Sequence, residues 1–297
     1  MLNRDGKEVK TGSKALAVEK DFYTVTNQQG EKDATVEKAL AEVDALGASA
    51  HSAFLRFEFP LEPEQKIAFA EWLGLQWVRG RSSRASGQEL ADKMQKRLIR
   101  FGLENADIKG ASGDDPESDP KDQDEGVPLD SGTSIQIPDL SHIPKDEREK
   151  LKKELDSFEF VIPKELQLLQ MLKMMSPAAL PFLEAEWHLL QFEETLLFTS
   201  DELIILQRRW RPENQFLGIG PASADQIYFP LSPNLCLAMI RAGSTGKQTF
   251  HRLPKEEGEK INVASLDTWW SQLFRHVDGP LFPDSIPPLP PERVVVG

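Results

Sequence analysis

WHLLQFEETLLFTS, residues Trp187–Ser200, runs directly into Asp201 and a second apolar run from Glu202 to Leu206. Short alternating apolar blocks of this kind suit strands, and the Thr199-Ser200-Asp201 triplet falls where two such runs meet. A strand end there would hold three hydrogen-bonding side chains together in the open. Asp201 is therefore a candidate acid, base or metal ligand, Ser200 a candidate nucleophile and Thr199 a binding residue. The competing reading is a strand-terminating turn in which Ser200 and Asp201 bond their own backbone. Serine hydrolysis gains little support, because no GxSxG elbow exists and none of the five histidines sits in a partner motif.

Moving outward, Tyr228–Pro233 leads into the strand candidate Leu235–Ile240, with Thr249–Leu253 as its expected hairpin partner across GSTGK. Val263–Val277 reads as an amphipathic helix with Leu266, Trp269 or Trp270, Leu273 and Val277 inward. On the other side, Pro163 opens a helix that Ser176-Pro177 is expected to break, because proline lacks the N–H that the helix needs. Met171, Met174 and Met175 are expected to fill core, and KDEREKLKKEL after Pro144 is a charged helix.

Towards the N-terminus, Val36, Leu40, Val43, Gly47, Ala50, Phe54 and Phe57 mark one face of a helix of about six turns. Pro63 starts another helix ending in RGRSSRASG, and the short FPLEP connection predicts an antiparallel helical hairpin. Periodicity resumes after Gly87 with Leu90, Met94, Leu98 and Phe101, so either one kinked helix or two helices broken near Gly80 to Gly87 are expected. Arg79, Arg81 and Arg84 place three guanidinium groups at that corner, suited to a phosphate or carboxylate. Cations at a helix C-terminus, paired with acids of a neighbouring element, are the structural alternative. Tyr23, at the end of the β-like run Lys14–Val25, joins the binding candidates. A cleft shared by these arginines and Asp201 is the sharpest site hypothesis.

The net charge of −13 is unevenly placed: Glu104 to His142 carries 11 acidic residues against 2 lysines. What remains is nearly balanced, so a broad basic face for nucleic acid is not supported. Residues 103–143 are expected to be a disordered acidic insert between an N-terminal strand and helical part, 1–102, and an α+β part, 144–278, that completes the same domain. Residues 279–297 hold six prolines and are expected to be an extended tail. No apolar run approaches the roughly 20 residues of a membrane span, and the polar start MLNRDGKEVK carries no signal peptide. A soluble, cytoplasmic protein is expected. The single cysteine, Cys236, lies in an apolar run and reads as core. Neither a metal nor a cofactor site is expected: the histidines are scattered, with His188 read as a strand or core residue. Gly218–Pro221 and GSTGKQT also lack phosphate-loop spacing.

EKDFYTV (Glu19–Val25), VEKALAEVD (Val36–Asp44), AFAEWLGLQWVRGRSSR (Ala68–Arg84), WHLLQFEETLLFTSDE (Trp187–Glu202) and IYFPLSP (Ile227–Pro233) together resemble the bacterial and fungal proteins grouped as domain of unknown function 4238. Those proteins usually carry a His- and Pro-containing segment before the first strand, which this chain is expected to lack. They also tend to place Pro-Val soon after the TSD triplet, where this chain has Glu202-Leu203. The resemblance implies an architecture and no activity.

The expectation is thus an α+β fold with helical hairpins packed on a small, mostly antiparallel sheet. Its function is read as a binding or regulatory module for an anionic ligand or protein partner. A hydrolase or nuclease acting on a phosphate-containing substrate is the alternative, and catalysis is left open.

Overall fold

A computed structural model of the chain describes residues 1–3, 8–10, 23, 25–26, 32–33, 35–111, 127–128, 134–135, 137–194, 196–209, 218–241, 246–268 and 272–283. Its strands are β1 (Leu2–Asn3), β2 (Val25–Thr26), β3 (Lys32–Asp33), β4 (Val127–Pro128), β5 (Ser134–Ile135), β6 (Glu186–Phe192), β7 (Thr199–Ser200), β8 (Ile205–Gln207), β9 (Gln226–Ser232), β10 (Leu235–Ile240), β11 (Gln248–Leu253) and β12 (Gln272–Phe274). Its helices are α1 (Thr35–Leu55), α2 (Pro63–Arg79), α3 (Arg81–Ala111), α4 (Lys145–Glu154), α5 (Lys164–Glu184) and α6 (Lys255–Thr268). The fold is α+β. It divides into two compact units, one of Met1–Ser86 with Pro163–Gly297 and one of Gly87–Ile162.

The first unit is built on a five-stranded sheet in the order β11-β6-β10-β9-β8. Alternation along the strands sorts its two faces. Trp187, Leu189, Leu206, Ile227, Phe229, Leu237 and Met239 pack with Ala50 and Phe54 of α1, Phe69 and Leu73 of α2 and Phe182 of α5. Leu190, Phe192, Ile205, Cys236 and Ala238 pack on the other face with Ile261 and Ala264 of α6. Cys236 is buried there, and burial pushes its thiol up out of the reactive range.

α1 and α2 form the expected hairpin partners, tied where the indole Nε1 of Trp72 donates to Asp44 at 2.9 Å. α5 departs from expectation, for it continues unbroken through Pro177 and Pro181. Packing compensates for the lost backbone bonds. At Gly74 of α2 an added Cβ would stand 2.6 Å from the Met175 carbonyl oxygen, so the two helices meet nearly backbone to backbone. Met171 is buried beside Leu75, whereas Met174 is exposed and fills no core.

Two further expectations are corrected. β11 does not pair with β10 but lies parallel to β6, with Thr249 opposite His188; the hairpin of β10 is made with β9 instead. The C-terminal helix begins at Lys255, ahead of Val263, and ends at Thr268, while Leu273 is buried in a strand and Val277 is exposed. Glu256 and Glu257 favour that earlier start by complementing the helix dipole. The TSD triplet lies off the main sheet, in a small sheet ordered β1-β12-β7.

In the second unit α3 runs on to Ala111, beyond the break in composition at Leu103, because Leu103 and Ala106 are buried. Asp107 binds Arg148 at 2.9 Å and also Lys152, both on α4. Most of the expected acidic insert, Lys14–Phe22, Trp269-Trp270 and the tail beyond Pro283 lie outside the described residues. No described helix is long and apolar enough to cross a membrane.

Candidate functional site

α2 ends because Gly80 turns the backbone to φ −57°, ψ 148°, and α3 starts one residue later. That corner presents Gln76, Trp77, Arg79, Arg81 and Arg84 to a cavity of about 510 Å³. The opposite wall is the end of β7 with its following turn, Thr199 to Ile204, and β12 contributes Gln272 and Phe274. Tyr23 also lines it. Every residue that the sequence singled out for binding or catalysis therefore borders one cavity.

The two walls are joined by Glu202. Its Oε1 accepts a 2.7 Å hydrogen bond from the backbone N–H of Ser82, in the first turn of α3. A buried carboxylate there satisfies an amide that has no partner within the helix and complements the positive helix end. Gly80 makes room for it: a Cβ would stand 3.0 Å from Oε2 of Glu202.

Arg79 is held rigidly. Its Nε donates to Oε1 of Gln76 at 3.0 Å, and its Nη1 to Oδ2 of Asp44 at 3.2 Å. The bond from Arg79 fixes which end of the Gln76 amide is oxygen. Nε2 of Gln76 is then a buried donor with no partner among the described residues. Leaving a buried donor unmatched costs about 1–3 kcal/mol, which a ligand acceptor would recover.

The triplet is committed more heavily. The Ser200 hydroxyl, 1% exposed, donates to the Glu202 carbonyl at 2.7 Å and accepts from the Glu202 N–H at 3.1 Å. Oδ1 of Asp201 accepts the Gln272 N–H at 3.2 Å, and the Asp201 N–H donates to the Gln272 carbonyl at 3.1 Å. The turn reading thus accounts for the Ser200 contacts, and Asp201 is the brace of β12. No histidine lines the cavity. Among the described residues its lining carries three arginines against the acids Asp201 and Glu202. Among the described residues no group of three or more His, Cys, Asp or Glu is placed to hold a metal ion.

The five quoted stretches and the described residues lining the cavity lie within residues 1–276, which match the family described as Protein of unknown function (DUF4238). The chain belongs to that family. No curated protein and no solved structure matches this DUF4238 chain. Its description carries no activity. Gln76 and Glu202 went unselected in the sequence. Gln76 lies one helical turn before Arg79 and Glu202 directly after the triplet, so spacing from the chosen residues was the available signal.

Proposed function

We propose that this DUF4238 chain is a binding module for a small molecule bearing a phosphate or carboxylate group, seated between the α2–α3 corner and the end of β7. The observation that carries the reading is the convergence of Arg79, Arg81, Arg84 and the unmatched Gln76 donor on one cavity of about 510 Å³. A volume of this size suits a metabolite. Concavity favours a small ligand over a protein partner, which would use an open face. The guanidinium groups supply charged donors to an anion's oxygens, and Gln76 supplies a neutral one. The acids Asp201 and Glu202 on the facing wall favour a ligand that also has hydroxyl or N–H donors. Hydrolysis of a phosphate-containing substrate is the lesser reading, since Ser200 is bonded to its own turn and no histidine lines the cavity.

Calorimetric titration with inorganic phosphate, nucleoside monophosphates and dicarboxylates tests the reading. At least one of these anions is expected to bind, and Arg81→Gln to weaken it tenfold or more, the loss of one charge-assisted pair. If none binds, or if Arg81→Gln and Gln76→Leu bind as the parent does, the reading fails. Release of phosphate from a phosphomonoester, abolished by Asp201→Asn in a folded variant, would establish the hydrolase instead.

A further inference from the structure

β11 ends the five-stranded sheet, and no described strand lies beyond it. Parallel strands bond through alternate residues, and here the Trp187 N–H donates to the Lys247 carbonyl at 2.8 Å. Lys247, Thr249 and His251 therefore carry the bonds to β6, while the N–H and C=O groups of Gln248, Phe250 and Arg252 point outward. Those outward groups are a template for one more strand. Aromatic surface stands beside it. Phe250 is 42% exposed, and its ring meets that of Phe57 edge to face, with centroids 6.1 Å apart. Phe57 is itself 50% exposed and has φ 58°, a conformation that a bulky residue adopts only at a cost in free energy. Burial within the chain does not offset that cost. What the strained turn achieves is to set a second ring at the open edge.

We propose that β11 is the contact through which two copies of this chain pair, antiparallel and about a two-fold axis at Phe250. The register follows from the outward groups. Phe250 faces the second copy's Phe250, and Gln248 of each copy faces Arg252 of the other, each pair exchanging two hydrogen bonds. Side chains of these pairs stand on one face of the sheet, so Phe57 and Phe250 of both copies form one aromatic patch across the axis.

Charge fits the same register. Neither cation of the edge meets a cation, because Arg252 faces Gln248 and Lys247 faces Leu253. The side-chain amide of Gln248 is bonded to both backbone groups of Leu61, at 3.0 and 2.9 Å. Arg252 of the second copy, set opposite Gln248, is thus brought to the side of the connection that carries the exposed Glu62. The two-fold axis repeats that approach of cation and carboxylate on its other side. A surface that complements itself in backbone bonding, aromatic contact and charge is what a two-fold contact requires, and this favours a second copy over an unrelated strand. The contact is small, so the dimer is an exchangeable one.

Sedimentation velocity of the full chain over a concentration series is the test, and a reversible monomer–dimer equilibrium is expected. Phe250→Lys sets two cations face to face at the axis and should leave only monomer, with the parent circular dichroism spectrum because the position is exposed. Phe57→Gly relieves the positive φ. Its monomer should unfold at an unchanged or higher denaturant midpoint while its dimer dissociates about tenfold more readily, a split that a purely structural Phe57 would not produce. Register is checked by mixing Thr249→Cys and His251→Cys chains, which should cross-link to each other on oxidation in preference to themselves, Cys236 being buried. The proposal is overturned if the chain is monomeric at every concentration, which leaves the edge to another protein's strand, or if Phe250→Lys dimerises as the parent does.

Discussion

Gly74 fixes the spacing of α2 and α5. The Cβ of Gly74→Ala would meet a backbone carbonyl at 2.6 Å, and a carbonyl inside a helix cannot swing aside as a side chain can. Overpacking of this kind costs about 1–3 kcal/mol, so the denaturant midpoint is expected to fall with an unchanged slope. A midpoint equal to the parent's would show that α2 and α5 do not meet so closely. At the same scale the sequence was informative about the cavity and silent about its wiring. Arg79, Arg81, Arg84 and Asp201 were legible because charged residues cluster visibly. Gln76 was not, because a neutral amide in an apolar helix looks like any surface polar residue until its burial is known. Ser200 was legible as a polar residue at a strand end, but only geometry shows its hydroxyl turned back to Glu202.

Among elements, α1 and α2 could be read to within a turn, since a repeating apolar stripe is a local property of the sequence, although Phe57, counted on the α1 stripe, lies beyond the helix end at positive φ and is exposed. The partner of β11 could not, because strand pairing is decided by tertiary packing and GSTGK looked like a hairpin turn. α5 shows a similar limit: local propensity argued for a break that burial against α2 overrides. Its Pro177 is exposed, so Pro177→Ala should restore a backbone bond and raise stability by about 1–3 kcal/mol in chemical unfolding. A loss of stability would mean that the ring packs usefully. α3 and α4 are tied by Asp107, whose carboxyl is held below its ordinary value by hydrogen bonds from Lys152 and then Arg148. A depressed carboxylate contributes stability above its unfolded pKa, and that contribution is lost as pH falls through the lower folded value. Acid unfolding monitored on Gly87–Ile162 should therefore steepen below about pH 4, and Asp107→Asn should flatten that limb. An identical acid profile in the variant would refute the link.

For the whole molecule, the residues lining the cavity all belong to the unit made of Met1–Ser86 and Pro163–Gly297. Most of the negative charge of the chain belongs to the stretch between Glu104 and His142. Deleting residues 112–126 should consequently leave anion binding unchanged while removing several acidic groups. Weaker binding after the deletion, with the fold intact, would make the acidic stretch part of the recognition apparatus. The parallel placement of β11 has one more outcome, which concerns synthesis. β6 sits between β10 and β11, both of which lie later in the chain. At a synthesis rate of about 5–20 residues per second, the Trp187–Phe192 segment waits roughly 3–12 s before Leu253 is made and its second flank can be closed. During that interval an apolar strand with unsatisfied edges is open to wrong partners, so holdase chaperones should raise the soluble yield of this chain.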